Sequence, residues 1–330
     1  MRITASAPGK FVLSGEYAVL DGAPAVCVAV DRRAVVTIET HAGDHHRVRA
    51  PGFTTATGRF EADAGGLTWL SGGRDFGLFE ALWNASRPAR AAGPLAISLD
   101  TAAFHDPASG RKIGLGSSAA LAAALAVALE SMGGIRAQDA AHAGHRLFQG
   151  GSGSGVDVAC SIAGGVIEYR MSDRQSKSLQ WPRGLHCSVL WSGVAAGTRG
   201  RLARFAGQPD SPSRSELREA SATVAAALEG GRASAALNAL GDYTRVLHRF
   251  DEAHGLGIFD AGHAALAGQP AADGVVYKPC GAGGGDIGVA LAMSRASLAS
   301  FEQMAARAGF TRLALGIDPR GAMLHDKDEL

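Results

Sequence analysis

Short apolar runs separated by turn residues fill the first forty positions of the chain. Apolar runs at 11–17, 25–30 and 34–39 are each long enough for a strand, and Asp21-Gly22 and Asp31 lie between them. Runs of this length bounded by turn residues are typical of β-strands. The pattern therefore predicts that the chain begins with three short strands.

Helical and strand patterns follow one another through the rest of the chain. Helices are predicted at 76–92, 117–132, 137–149, 215 to about 253 and 296–308, and strands at 95–99, 165–169, 187–191, 274–278, 288–293 and 311–317. The signal at 117–132 is the clearest, because this Ala/Leu-rich segment opens with serines and is followed by Gly133-Gly134. Residues 207–216 are typical of a loop or hinge. A two-lobed α+β protein with a boundary between 165 and 185 fits this order.

Composition allows a large core and argues against two classes of partner. The chain has 330 residues, 46% of them hydrophobic, which is enough for roughly two domains. Its net charge is +1 and it has no long basic run, so we expect no nucleic-acid partner. The longest apolar stretch, 119–129, is shorter than the roughly 20 residues of a membrane helix, so we expect no membrane partner.

The chain ends and the cysteines suggest a cytoplasmic location. Residues 1–5 lack the charged-then-apolar pattern of a secretory signal. Residues 327–330 read Lys-Asp-Glu-Leu, a retention signal that is read only inside the endoplasmic reticulum, and we interpret this match as coincidental. The four cysteines, at 27, 160, 187 and 280, are scattered like the reduced thiols of a cytosolic protein.

Lysine is rare, and its positions are informative. Only five of the 32 basic residues are Lys, and Lys10, Lys112 and Lys278 each lie beside a glycine-rich segment. Lysine is a compact point charge that suits phosphate oxygens. We therefore expect Lys10 and Lys112 to bind phosphate, and leave Lys278 open between this role and an ordinary one.

The segment Gly114–Ala120, Gly-Leu-Gly-Ser-Ser-Ala-Ala, leads directly into the predicted helix at 117–132. The first N–H groups of a helix have no internal partners and favour anions. Glycines let a phosphate approach the backbone, and serine hydroxyls can reach phosphate or Mg²⁺. The segment taken alone is equally an ordinary serine-capped helix that begins with a glycine turn.

Two known nucleotide-binding patterns differ in how well they fit the segment Gly114–Ala120. It is not the G-x-x-x-x-G-K-[ST] loop of P-loop proteins. Gly114, Gly116 and Ala119 do match the relaxed dinucleotide pattern G-x-G-x-x-A, and a second match begins at Gly283. An NAD- or FAD-dependent oxidoreductase is therefore an alternative interpretation.

Two further glycine-rich segments carry candidate chemistry. Residues 150–157 read Gly-Gly-Ser-Gly-Ser-Gly-Val-Asp, and Asp157 could accept a proton from a nucleophilic oxygen or orient it. The alternative is a turn whose Asp caps the next element. Residues 278–288 contain five glycines, which suggests close packing against a ligand or against the first loop.

Together these segments resemble the three motifs of the GHMP kinases, in the same order and spacing. The first motif resembles residues 7–19, the second 114–120 and the third 281–286. The resemblance implies a two-lobed fold, with a ribosomal protein S5 domain 2-like lobe at 1–175 and a ferredoxin-like lobe at 176–330. Asp286 after the third glycine run, Tyr17 after Gly15-Glu16, and His145 in place of a Mg²⁺-binding Glu resemble the phosphomevalonate kinase branch.

The resemblance also implies roles for individual residues. The implied catalytic residues are Lys10, Lys112 and Asp157, and the implied ATP-binding residues are Gly114, Leu115, Gly116, Ser117, Ser118 and Ala119, with Ser117 also a ligand of Mg²⁺. The implied substrate-binding residues are Lys10, Tyr17, Ser152, Ser154, Thr198, Gly283, Gly284 and Asp286. Thr198 is equally an N-cap candidate, and Arg199 could add charge.

The resemblance implies an ATP- and Mg²⁺-dependent kinase whose acceptor is the phosphate of 5-phosphomevalonate. Mevalonate kinase or another small-molecule kinase of the superfamily is the first alternative. An oxidoreductase and a non-catalytic nucleotide-binding protein on the same scaffold are the others.

Overall fold

Thirteen β-strands and nine α-helices lie in residues 1–63, 65–89, 91–268 and 274–326, the part of the chain that this computed structural model describes. The strands are β1 (Arg2–Ser14), β2 (Ala25–Thr40), β3 (His46–Arg49), β4 (Thr57–Asp63), β5 (Gly66–Ser71), β6 (Leu95–Asp100), β7 (Val166–Arg170), β8 (Gln175–Leu179), β9 (His186–Trp191), β10 (Val276–Pro279), β11 (Ile287–Ala292), β12 (Thr311–Leu313) and β13 (Met323–His325). The helices are α1 (Gly77–Ser86), α2 (Ser117–Glu130), α3 (Ala137–Phe148), α4 (Val156–Ala163), α5 (Thr198–Ala206), α6 (Pro212–Glu229), α7 (Ala233–His254), α8 (His263–Ala267) and α9 (Arg295–Arg307).

A large sheet contains nine of the described strands. Its main path runs β13–β1–β2–β6–β3–β4–β5, while β7 pairs with both β2 and β8. Neighbouring strands are antiparallel, except that β3 and β6 are parallel. The two longest strands, β1 and β2, pair from Arg2 opposite Glu39 to Ser14 opposite Val26, so β1 carries the first motif through the middle of the sheet.

Helix α2 packs against β1, β2 and the helices α1, α3 and α4. Ten of its fourteen residues are buried, and most of these are alanines. Small side chains let neighbouring elements approach closely from several sides, and a helix that is apolar all round is one that is enclosed. This packing fixes α2 against β1 and β2 of the large sheet.

A smaller antiparallel sheet, β10–β11–β9–β12, forms the second layer of strands. Helices α8 and α9 pack on it around Tyr277 and Phe310, while α6 and α7 pair with each other. One hydrophobic cluster joins the two sheets, because Leu13 of the large sheet belongs to the same buried core as Val189 of the small sheet and Leu247 of α7. The sheets therefore share a core.

The α+β class is confirmed, and most predicted elements are present. The runs 25–30 and 34–39 are one strand, β2, rather than two. Its first part pairs with β7 and its second part with β6, so exposed Asp31 marks a change of partner and not a turn. The helix predicted at 76–92 ends at Ser86, because Arg87 adopts a left-handed conformation (φ 49°) and Pro88 follows.

Other elements were not predicted. The strands β3, β4, β5, β8 and β13 and the short helices α4, α5 and α8 lie in segments with weak or mixed patterns. The strand predicted at 311–317 covers only Thr311–Leu313. The division at residue 175 stays a prediction, and the large sheet includes β8 beyond that point and β13 near the C-terminus.

The topology and the helix lengths bear on two possibilities considered from the sequence, a dinucleotide-binding fold and a membrane-spanning helix. The dinucleotide interpretation does not fit, because it requires parallel βαβ units, whereas the segment before Gly114 is a loop and the strands around it are antiparallel. Within the described ranges, every helix is too short or too polar to cross a lipid bilayer. Residues 327–330, with the retention-like tetrapeptide, lie outside the described residues.

Candidate active site

A cleft of about 380 Å³ opens where the three motifs meet. Of the predicted site residues, its walls contain Lys10, Tyr17, Lys112, Gly114, Gly116, Ser118, Ser152, Ser154, Asp157 and Asp286. Leu115, Ser117, Ala119, Gly283 and Gly284 are buried behind the walls. The side chains of Thr198 and Arg199 lie outside what the structure describes.

The first and second motifs are joined through backbone and side-chain contacts. The Lys10 amide donates a hydrogen bond to the Leu115 carbonyl at 2.8 Å. Gly116 has a φ of +77°, and a Cβ at this position would lie 2.7 Å from Cε of Lys10. The absence of a side chain at Gly116 therefore leaves space for the Lys10 side chain to pass the start of α2.

Lys10 forms an ion pair with Asp157. Lys10 Nζ lies 3.0 Å from Asp157 Oδ1, and the lysine side chain is 9% exposed while the aspartate is 36% exposed. Burial lowers the pKa of the Lys10 ammonium, but the interactions that raise it, first among them the attraction to the Asp157 carboxylate, together outweigh this effect, and the pKa lies above its usual value. Lys10 is thus a fixed cation, and Asp157, in the first turn of α4, presents its remaining oxygen surface to the cleft.

Lys112 and Asp286 are the second pair of opposite charges in the cleft. Desolvation by the surrounding protein lowers the pKa of Lys112, although much of this residue meets solvent, and the Asp286 carboxylate partly offsets the shift. Burial raises the pKa of Asp286, while the Ala196 amide, which donates to Asp286 Oδ1 at 3.1 Å, works in the opposite direction. A Cβ on Gly114 would lie 2.4 Å from Cβ of Asp286, so the second and third motifs touch.

The start of α2 presents Ser118 to the cleft. Ser118 Oγ lies 3.2 Å from Nε2 of His145 on α3. Burial lowers the pKa of His145, with Asp157 opposing the shift and Lys10 and Lys112 adding to it, so the ring is uncharged at neutral pH. Ser117 is the buried neighbour, and its exposed fraction is 7%.

The glycine run at 283–285 in the third motif packs against protein, whereas Gly281 lines the cleft. A Cβ on Gly284 would collide with the Arg201 guanidinium, and one on Gly283 would lie 2.5 Å from the Ile258 carbonyl oxygen. The hydroxyl of Tyr17 donates to the Ala282 carbonyl at 2.7 Å. The run therefore lets the turn between β10 and β11 fit closely behind the cleft.

The sequence did not predict a buried network behind the first motif. Lys278 Nζ lies 2.6 Å from Glu16 Oε1, and neither side chain is more than 1% exposed. The Tyr243 hydroxyl donates to Glu16 Oε2 at 2.7 Å and accepts from the Gly15 amide at 3.0 Å. Lys278 also donates to the Pro279 carbonyl, so it supplies no charge for a phosphate. No local pattern marks Tyr243, which lies within a long helix.

Comparison with known proteins agrees with this geometry. The family model for the GHMP kinases N terminal domain matches residues 89–165. A phosphomevalonate kinase of Streptomyces sp. (strain CL190) is 30% identical, with 89% of this chain and 91% of that protein covered. A mevalonate kinase of Thermococcus sibiricus (strain DSM 12597 / MM 739) is 32% identical over 53% of this chain and 54% of its own length.

A solved structure supports the fold. Streptococcus pneumoniae phosphomevalonate kinase, in complex with phosphomevalonate and AMPPNP, superposes with a TM-score of 0.78 at 19% identity, covering 95% of this chain and 99% of that one. The fold predicted from the motifs is thus confirmed. With its family match and a relative that covers nearly the whole length, the chain belongs to the GHMP kinase family and is a kinase.

Proposed function

We propose that this kinase transfers the γ-phosphoryl group of ATP to the phosphate of 5-phosphomevalonate, giving 5-diphosphomevalonate in the mevalonate route to isoprenoids. The observation that carries the proposal is the placement of two lysines in the cleft. Lys10 and Lys112 both face it, and uncharged His145 occupies the place where mevalonate kinases have a Mg²⁺-binding Glu. The phosphomevalonate kinase relative supports the same acceptor.

The proposed reaction requires little proton transfer. An oxygen of the acceptor phosphate attacks the γ-phosphorus, a new P–O bond forms, and the bond between the γ-phosphorus and the β,γ-bridging oxygen breaks to release ADP. A phosphate monoester has a second pKa near about 6, so the attacking oxygen is already anionic at neutral pH. The chain's main task is then to hold two polyanions together in line.

The two lysines are placed for that task. The Lys10 ammonium is held by Asp157, and Lys112 lies on the segment that leads into α2. Cations aimed at the transferring group stabilise the charge that develops on its oxygens. Asp157 orients Lys10 and the acceptor, and with an alcohol acceptor it would take the proton.

Nucleotide and acceptor would occupy different walls of the cleft. Gly114, Gly116 and Ser118, at the N-terminus of α2, suit the ATP phosphates. Ser152 and Ser154 suit the acceptor. The Ser152 hydroxyl bonds to the Gln149 carbonyl, and that of Ser154 accepts from the Val156 amide, so local bonds hold both side chains in this loop.

The donor set fits a Mg²⁺ ion that is bound mainly by substrate. Within the described residues, no cluster of three or more His, Cys, Asp or Glu side chains could hold a metal alone. The Ser118 hydroxyl and the Asp157 carboxylate face the cleft and would supply oxygen ligands to the ion. Mg²⁺ usually keeps several waters and takes few protein ligands beside phosphates, and when bound it would neutralise phosphate charge.

Release of ADP with separate acceptors tests the proposal. The full chain with ATP and Mg²⁺ is given mevalonate, 5-phosphomevalonate, homoserine or galactose, and ADP is measured with a coupled assay. We expect ADP with 5-phosphomevalonate alone. ADP from mevalonate and not from its phosphate would refute the proposed acceptor and favour a mevalonate kinase. The mevalonate kinase relative and the cleft-facing Asp157 support that alternative. A chain that binds ATP but releases no ADP with any acceptor would be a non-catalytic binding protein.

A further inference from the structure

A second, smaller pocket of about 180 Å³ adjoins the cleft. It shares the loop 152–155 and His145 with the cleft, and its other walls come from α3 and from the turn between β7 and β8. The loop with Ser152 and Ser154 also borders the acceptor position, but none of the roles assigned above uses the arginines or His142 of this pocket. It is too small for a nucleotide, since pockets for ligands of that size occupy roughly 300–1,000 Å³.

The lining of this pocket is cationic and contains no Asp or Glu. Arg146 and Arg174 stand at its rim. Arg146 donates from Nε to the Gly151 carbonyl at 3.0 Å, and within the described residues its two terminal nitrogens have no other partner. Arg174 makes no hydrogen bond or ion pair with any residue that the structure describes. Two guanidinium groups therefore face one small space without an anion to bind.

His142 gives a second, independent indication of a ligand. Its ring lines the pocket, it is only 8% exposed, and its Nε2 is buried without a hydrogen-bond partner among the described residues. The ring stacks on Tyr169, with centroids 6.4 Å apart and planes 11° apart, so its orientation is fixed. A buried polar nitrogen without a partner costs free energy unless a ligand or water satisfies it.

We propose that this pocket binds a small tetrahedral oxyanion of the phosphate class, either free or as the end group of a small monoester. Guanidinium groups bind phosphate oxygens with paired, charge-assisted hydrogen bonds. Arg146 and Arg174 supply those donors, His142 supplies a ring nitrogen, and the hydroxyl of Ser172 supplies a further donor. The site adjoins the acceptor position across the loop 152–155, and its proposed ligand does not depend on the identity of the acceptor.

A ligand in the pocket would affect the cleft through the loop that the two share. Gly150, Gly151, Gly153 and Gly155 all have positive φ, so the loop is built from residues with high conformational freedom. An anion held by Arg146, which also binds the Gly151 carbonyl, would restrict this loop. The serines that face the acceptor lie in the same loop, and the pocket is thus placed to modulate acceptor binding.

Calorimetric titration with inorganic phosphate tests the site. The full chain carries Lys112→Ala in every variant, which weakens phosphate binding in the cleft. We expect this protein to bind phosphate, and the added pair Arg146→Ala and Arg174→Ala to weaken that binding at least tenfold. Arg170→Ala is the matched control, because Arg170 is exposed on β7 and is paired with Glu168 outside the pocket. It should leave the affinity unchanged.

Unchanged phosphate affinity in the Arg146→Ala/Arg174→Ala protein, or no phosphate binding to its parent, would overturn the proposal. Acetate, a planar anion, should bind at least tenfold more weakly than phosphate, and equal binding would contradict a tetrahedral site. Glycerol phosphate that binds more tightly than phosphate identifies a monoester as the ligand, and the reverse order identifies the free ion. Phosphate should also slow hydrogen exchange of amides 150–155 in the parent and not in the arginine variant. Because these readouts need no turnover, they stand apart from the kinase assay.

Discussion

The two lysines of the cleft differ in how their charge is maintained. Lys10 is buried and paired with Asp157, so its charge is fixed across the working pH range. Lys112 meets solvent, and its pKa is lowered by desolvation with only partial compensation from Asp286. Of the two cations, Lys112 is therefore the one whose charge is sensitive to alkaline pH.

Replacing Lys112 should remove transition-state stabilisation without harming the fold. We expect Lys112→Ala to lower kcat/KM for ATP and 5-phosphomevalonate by about 10²–10³-fold, the usual effect of removing one preorganised electrostatic donor. Steady-state ADP release measures the loss, and thermal unfolding checks the fold. Lys177→Ala is the matched control, because Lys177 is exposed on β8 and pairs with Glu229 far from the cleft. A wild-type rate for Lys112→Ala would remove this residue from the mechanism.

The pH profile should report the charge of Lys112. Because its pKa lies below the usual lysine value, the cation is present at low pH and is lost as pH rises through that lowered pKa. We expect kcat/KM, which reports ionisations of the free enzyme, to fall on the alkaline side. Lys112→Arg should move this limb to higher pH, because arginine stays charged. A limb at the same pH in both proteins would assign it to another group.

At the scale of residues, the sequence identified charged side chains better than their partners. Lys10 and Asp157 were both predicted as site residues from their motifs, but no local pattern shows that they touch. Lys278 has the same glycine-rich surroundings as Lys112 and yet is paired with Glu16, since burial depends on the tertiary fold. Pairing distant side chains requires the packing of whole elements, which residue spacing does not contain.

At the scale of elements, the Glu16–Lys278 pair joins the end of β1 to β10, and Tyr243 adds α7. We expect Glu16→Gln to lower the free energy of unfolding by about 3–5 kcal/mol, because it leaves a buried ammonium without its counterion. Urea denaturation measures this change. Glu16→Gln combined with Lys278→Met should recover part of the loss, since the unpaired charge is then absent. Equal stability of wild type and Glu16→Gln would show that the pair contributes nothing.

The junction of the second and third motifs should be sensitive to one methyl group. Gly114 has a φ of +96°, and a Cβ there would overlap Asp286. We expect Gly114→Ala to lower kcat/KM at least tenfold, because the loop before α2 must shift away from Asp286. Gly110→Ala is the control, since Gly110 also has positive φ (+68°) but open space around it. Equal losses in both variants would assign the effect to backbone strain alone.

Composition and end signals made some elements predictable. α2 and α3 were predicted to within a few residues, because composition and end signals agree. The strands β3, β4 and β5 were missed, since short and mostly polar segments such as Thr57–Asp63 resemble loop sequence. Asp31 looked like a turn residue because sequence does not show that β2 exchanges one partner strand for another.

For the whole molecule, nucleotide binding should raise stability by mass action. At a free concentration of about 100 times Kd, a ligand that binds only the folded state adds about 2.7 kcal/mol. We expect AMPPNP with Mg²⁺ to raise Tm in proportion to the logarithm of its concentration, and Lys112→Ala to need a higher concentration for the same shift. Differential scanning calorimetry measures both. An NAD-induced shift without an AMPPNP-induced one would contradict the kinase assignment.

The sequence predicted two lobes but not how they are joined. β13 returns from the far end of the chain to pair with β1, and Arg33 of β2 forms an ion pair with Asp318 at 2.5 Å on the way. Such long-range pairing has no local signature. The core that both sheets share likewise depends on residues that are far apart in the chain.

The shared core has a consequence for how substrates enter. Leu13 and Val189, one from each sheet, belong to a single buried cluster, so drawing the sheets apart would expose that cluster to water. Exposing this apolar surface to water costs free energy, which opposes a large rotation of one sheet relative to the other. We therefore expect substrates to enter and products to leave through small movements of the glycine-rich loop at 150–155 and of the backbone around Asp286. These segments can move while the shared cluster stays buried. The cleft would open by movement of these two segments at its mouth, while the core that the two sheets share remains intact.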